Sequence, residues 1–140
     1  DPNAEYVELM NVGGEAVNLS LCRFADGIEF VFPSFVLEPA ACCLVVKDPA
    51  VFESRYGPEL LVAGRYAGSL NNAGERLVLC DAAGRTIHDF TYRDDWFRAT
   101  DGDGFSLTLA DPFSVDPNSL GDMAAWRPSE NAGGSPGAMD

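Results

Sequence analysis

Positive charge is scarce in this 140-residue chain. Lys and Arg total 9 against 22 Asp and Glu, a formal net charge of -13. Such a surface field repels phosphate backbones and anionic headgroups, so nucleic acid and membrane surfaces are poor partners. Long apolar runs are missing as well. The densest, Cys42-Cys43-Leu44-Val45-Val46, is bounded by Pro39 and Lys47 and is far short of the roughly 18 apolar residues that span a bilayer. No stretch keeps apolar residues at helical spacing for long enough to predict a long helix. Four cysteines, Cys22, Cys42, Cys43 and Cys80, lack the paired Cys-x-x-Cys spacing of zinc ribbons and dithiol redox sites. The one histidine, His88, has no Gly-x-Ser-x-Gly nucleophile motif near it. The chain also opens at Asp1 with neither Met nor a leader pattern, which predicts a domain cut from a longer protein.

What is present is a succession of short strand patterns broken by Gly, Pro, Asn and Asp. Glu5 to Met10 places Val7 and Leu9 on one face and Glu8 on the other, and stops at Asn11 and Gly13-Gly14. Val17 to Leu19 and Leu21 to Phe24 follow, then Asp26-Gly27 as a hairpin signal before Ile28 to Phe32, closed by Pro33. Cys42 to Val46 suits a central strand covered on both faces, with Cys42 and Cys43 pointing opposite ways. Small buried thiols are favoured over a bridge from Cys22 or Cys80. Asp48 as cap, Pro49 at the first helical position and Gly57 as stop predict one short helix. Leu60 to Val62 adds a strand. Arg76 to Cys80 and Thr86 to Tyr92 form a hairpin around Asp81-Ala82-Ala83-Gly84, in which Gly84 supplies a positive φ. Phe105 to Leu109 alternates as a last strand, after which the composition predicts an irregular end anchored by Trp126.

The fold class is therefore all-β: a β-sandwich of about seven to nine mostly antiparallel strands with at most one short helix. One domain of this length buries roughly 68–70% of its unfolded surface. Particular words are more specific than the pattern. Glu5-Tyr6-Val7-Glu8-Leu9-Met10-Asn11, Val17-Asn18-Leu19-Ser20, Phe30-Val31-Phe32-Pro33 and Leu37-Glu38-Pro39-Ala40 resemble, in that order, the lamin tail domain family. Leu70 to Leu77, the Asp81 to Gly84 hairpin, Asp101-Gly102-Asp103-Gly104-Phe105-Ser106-Leu107 and Trp126-Arg127-Pro128-Ser129 look like its bacterial branch. The resemblance implies an immunoglobulin-like sandwich, placed over 1–130, and the composition predicts a loose tail over 131–140. Two positions depart from the family: Cys22 stands where Trp is frequent, and Pro39-Ala40-Ala41 lacks the usual turn glycine. The family includes the tails of intermediate-filament lamins and, in bacteria, modules of secreted or surface proteins. It implies a non-catalytic protein-interaction or structural module, extracellular or on the cell surface, with a protein partner.

Two other readings rest on the loop from Asp94 to Gly104. Asp94, Asp95, Asp101 and Asp103, with two glycines and the aromatic pair Trp96-Phe97, have the chemistry of a calcium site or a ligand-gripping loop. The EF-hand pattern is incomplete, because no Glu stands at the last ligand position, and solvated turn carboxylates explain the same residues. The candidate binding loop is Asp94, Asp95, Trp96, Asp101 and Asp103. It would serve a calcium-stabilised adhesive domain or, through Trp96, a carbohydrate-binding module. No catalytic residue and no cofactor other than calcium is indicated. A triad assembled in space would leave no mark along the chain, and paired glycosidase carboxylates need a cleft that a sandwich of this length has little chain to build.

Overall fold

A computed structural model describes residues 2–70, 74–97 and 105–137. In chain order the elements are β1 (Tyr6–Met10), β2 (Val17–Asn18), β3 (Arg23–Asp26), β4 (Phe30–Val31), β5 (Val36–Leu37), β6 (Cys42–Val46), α1 (Pro49–Tyr56), β7 (Val62–Arg65), β8 (Gly74–Cys80), β9 (Thr86–Arg93), β10 (Phe105–Leu109) and β11 (Trp126–Ala132). Eight of the described strands have four or more residues, and β2, β4 and β5 have two each. Short 3₁₀ turns, including Asp94–Trp96, occupy the joints.

Two sheets form the sandwich, β1-β6-β7 and β4-β3-β8-β9. All pairings are antiparallel except β6 with β7. The alternation read from β1 and β6 decides what lies between the layers. Val7, Leu9, Cys43 and Val45 face the main core with Phe24, Ile28, Phe32, Leu37, Tyr66, Leu77 and Leu79. The opposite face of the same sheet buries Leu44 and Val46 under Phe52 of α1, with Tyr6, Tyr56 and Leu60 beside them. Cys43 to Val46 are fully buried, as a strand apolar on both faces requires. All four cysteines are free thiols; Cys42 is half-buried and the others are buried. Burial pushes the Cys43 thiol up to about 12.

The local signals hold. The Asp48 carboxylate accepts from Ala50 N and Val51 N, and Gly57 N closes α1 on Glu53 O. Gly84, at φ 85°, donates to Asp81 O while the Asp81 side chain accepts from Ala83 N and Arg85 N. Asn11 does more than end β1. Its buried amide donates to Glu15 O and Leu37 O and accepts from Gly13 N, and its backbone pairs with Ala40 N and Ala41 O. Ala40 there has φ 63°, so the turn keeps a glycine geometry with an alanine.

Three expectations need correction. β7 starts at Val62, not Leu60, and runs parallel to β6. β8 starts at Gly74, inside the expected loop. The expected irregular end contains β11, which pairs with β10 although it includes Pro128. That pairing, not local composition, makes the strand.

The edges of the sheets are handled unequally. A bridge between Glu29 and Ala67 ties the β4 edge to the β7 edge. On the opposite side the β10-β11 ribbon reaches across. The Trp126 ring lies 5.6 Å from that of Phe90 on β9, its Nε1 donates to Leu120 O, and Gly133, just past β11, accepts from Tyr6 on β1. No helix among the described residues is long and apolar enough to cross a membrane.

Candidate functional site

β9, eight residues long, ends the four-stranded sheet. β8 pairs with it from Gly74↔Arg93 to Cys80↔Thr86, and among the described residues no strand pairs with its far edge. A strand paired on one side directs about half of its backbone N–H and C=O groups outward. Its side chains alternate: Ile87, Asp89 and Thr91 are exposed, while His88, Phe90 and Tyr92 are half-buried toward the interior. Arg76 holds Asp89 through two hydrogen bonds of 2.8 and 2.6 Å, which keeps that carboxyl below its usual range.

His88 pairs with Leu79 and turns inward. Burial lowers its pKa, and Nδ1 has no hydrogen-bond partner among the described residues. Among the described residues no nucleophile or carboxylate is hydrogen-bonded to this ring, which sits half-buried on the inner face of β9.

The loop singled out from sequence follows β9 directly. Asp94, Asp95 and Trp96 form its 3₁₀ turn. The Asp95 carboxylate is engaged by Arg93 at 3.0 and 3.1 Å. Trp96 and Phe97 are half-buried. Asp101 and Asp103 lie outside the described residues. Among those described, no three His, Cys, Asp or Glu side chains gather as metal ligands.

A second constellation went unnoticed in the sequence. Beyond β11 the chain lies on the outer face of β1 and α1. The buried Gly133 carbonyl accepts from Tyr56 Oη at 2.8 Å and from Tyr6 Oη at 3.1 Å, and Tyr6 Oη also meets Ser106 Oγ at 3.2 Å. Farther on, Gly137 N donates to the Glu8 carboxylate. Burial raises the Glu8 pKa, the Gly137 N–H opposing it. Tyr6, Phe52 and Tyr56 stack edge-on or tilted at 4.8 to 5.8 Å, which fixes both phenols. The sequence signal that could have shown this clasp is the spacing Gly133-Gly134-x-x-Gly137, which reads locally as a flexible tail.

The family model described as Lamin Tail Domain matches residues 1–94. The chain belongs to the lamin tail domain family. The immunoglobulin-like fold of lamin tail domains agrees with the two-layer arrangement found here. The match takes in β1 to β9 and stops at Asp94, so Asp95, Trp96, the β10-β11 ribbon and the clasp lie beyond it. No curated protein matches the chain.

Proposed function

We propose that this lamin tail domain is a non-catalytic interaction module of a larger, secreted or cell-surface protein, and that the β9 edge receives an extended, cationic segment of a protein partner. The observation that carries the reading is the eight-residue terminal strand paired on one side among the described residues. Such an edge is a template for strand addition: backbone hydrogen bonds supply affinity, and alternate side chains supply selectivity. Ile87 and Thr91 offer apolar and β-branched neighbours on the outer face. The net charge of -13 favours a cationic partner and disfavours nucleic acid and anionic membrane. The secreted or surface setting is taken from the resemblance to the family's bacterial members. The reading needs no cofactor.

A photo-crosslinking residue placed at position 87 of the full-length protein tests it in the producing cells. A single saturable adduct is expected, competed by excess unmodified domain, weakened by salt and lost when Thr91→Pro is added with the melting temperature retained. An equal yield of the same adduct from position 53 on α1 would refute the assignment to β9.

A further inference from the structure

The clasp has the chemistry of a peptide-binding site. Its walls come from Tyr6 and Glu8 of β1, Arg55 and Tyr56 of α1, Leu60 and Ser106, and they address the backbone of their occupant. Two phenols converge on one buried carbonyl, and one carboxylate takes an N–H. The occupant is also selected by size. A Cβ at Gly133 would lie 2.6 Å from Arg55 Nη2, one at Gly134 would lie 2.5 Å from Ser106 Oγ, and one at Gly137 would lie 2.6 Å from Leu60 Cδ2. All three glycines have φ between 77° and 85°, which side chains disfavour. The positive φ at all three positions and the crowding at Gly134 against Ser106 favour a Gly-Gly-x-x-Gly segment that presents its carbonyl and N–H groups at this spacing. The partner of stated sequence that does so is a second copy of this chain.

We propose that the face formed by Tyr6, Glu8, Tyr56 and Leu60 is an exchange site, filled within one chain by its own Gly133–Gly137 and between chains by the same segment of a second copy. Exchange of identical elements replaces each contact with its equal, which makes it a low-cost route to association. The desolvated Glu8 carboxylate favours an occupied site, since the Gly137 N–H is the donor that offsets its burial. The inference deepens the interaction-module reading, on which it rests, by naming one partner and a second surface distinct from β9.

Complementation tests it. Gly134→Val spoils the segment and leaves the receiving face intact, whereas Tyr6→Phe/Tyr56→Phe removes both phenol donors and leaves the segment intact. Each full-length variant alone is expected to be monomeric by light scattering. Their equimolar mixture is expected to contain a two-chain species with a dissociation constant about tenfold or more below that of either variant with itself. A mixture that stays monomeric while both variants keep the parent circular dichroism spectrum overturns the proposal. Should either variant unfold, the chain ending at residue 130, which lacks its own occupant, is titrated with a synthetic peptide spanning 131–137 after its circular dichroism spectrum is matched to the parent: saturable NMR shifts at the Tyr6 and Tyr56 rings support exchange, and their absence at large excess refutes it. Both failures leave the position 87 adduct unaffected, so the two proposals fall separately.

Discussion

Replacing Ala40 by glycine is expected to stabilise the domain, against the usual direction of such a change. Ala40 holds φ 63° while donating its N–H to Asn11 O at 2.8 Å, so the turn is fixed from outside the residue. An L-residue in that region costs about 1–2 kcal/mol. Glycine removes that cost but frees the unfolded chain, which takes back about 0.4–1 kcal/mol. Ala40 is exposed, so its methyl group contributes little burial. The balance is about 0.5–1 kcal/mol in favour of the glycine variant, or roughly 2–5 °C in melting temperature for a domain of this size. Urea unfolding should show a raised midpoint with an unchanged slope. Leu21→Gly supplies a second case of the same sign, since Leu21 has φ 65° and is 64% exposed. Gly84→Ala supplies the reverse: nothing lies within 4 Å of a Cβ there, so its expected loss isolates the backbone effect. A lower midpoint for Ala40→Gly together with a loss at Gly84→Ala would refute the assignment of strain to Ala40.

Further outcomes follow from the buried polar groups. Burial lowers the His88 pKa below 6.5, so the folded state binds fewer protons than the unfolded one between the two values. Stability from this group is complete above 6.5 and falls as pH drops through the folded value, and His88→Leu should flatten that decline in urea titrations. Glu8 has the opposite sign: its pKa is raised above 4.5, so its contribution is complete below 4.5 and is lost as pH rises through the folded value. Glu8→Gln should therefore remove a loss of stability on the alkaline side of that window, read from the same titrations. Tyr6→Phe and Tyr56→Phe should each cost about 1 kcal/mol, and the double variant more than the sum, because the buried Gly133 carbonyl then loses both phenol donors. A strictly additive cycle would contradict the shared acceptor. Truncation after residue 97 should lower the melting temperature by removing the Trp126–Phe90 contact and the Gly133 bonds, and an unchanged melt would show the ribbon to be dispensable.

What could be read in advance was what neighbouring residues decide among themselves. Asp48, Pro49 and Gly57 fixed α1 because capping, a preset φ and a helix stop each act within a few residues. The Asp81 to Gly84 hairpin was legible for the same reason, and parity alone separated buried Cys43 from half-buried Cys42. β11 was not legible. Its sequence, Trp-Arg-Pro-Ser-Glu-Asn-Ala, is poor in strand formers, and its conformation comes from pairing with β10 and from Phe90, more than thirty residues away. The clasp was hidden similarly: the glycines that suggest a loose tail are the residues that let it pack against Ser106 and Leu60. The position of β9 could not be inferred either, since a hairpin predicts that β8 and β9 pair but not which of them ends the sheet.

The handling of the sheet edges connects the two surfaces. An open sandwich of two sheets has four lateral edges, and unpaired edges invite association with other chains. Here the β4 and β7 edges are tied by the Glu29–Ala67 bridge, and β4 is two residues long. At β1 the chain's own C-terminal segment packs on the outer face through Tyr6 and Glu8, and among the described residues no strand pairs with the far edge of this five-residue strand. β9 remains: the longest described strand, with exposed Ile87, Asp89 and Thr91 and a ring contact from the ribbon at Phe90. Neither a lysine nor a proline blunts it, and its Asp89 is already neutralised by Arg76. β9 is the longest described strand and, among the described residues, is paired on one side only, which makes it the longest template for the strand addition proposed above. That length and one-sided pairing, more than any single side chain, is what supports proposing partner binding at β9, while the side-chain bonds to Gly133 and Gly137 support proposing self-exchange at the clasp.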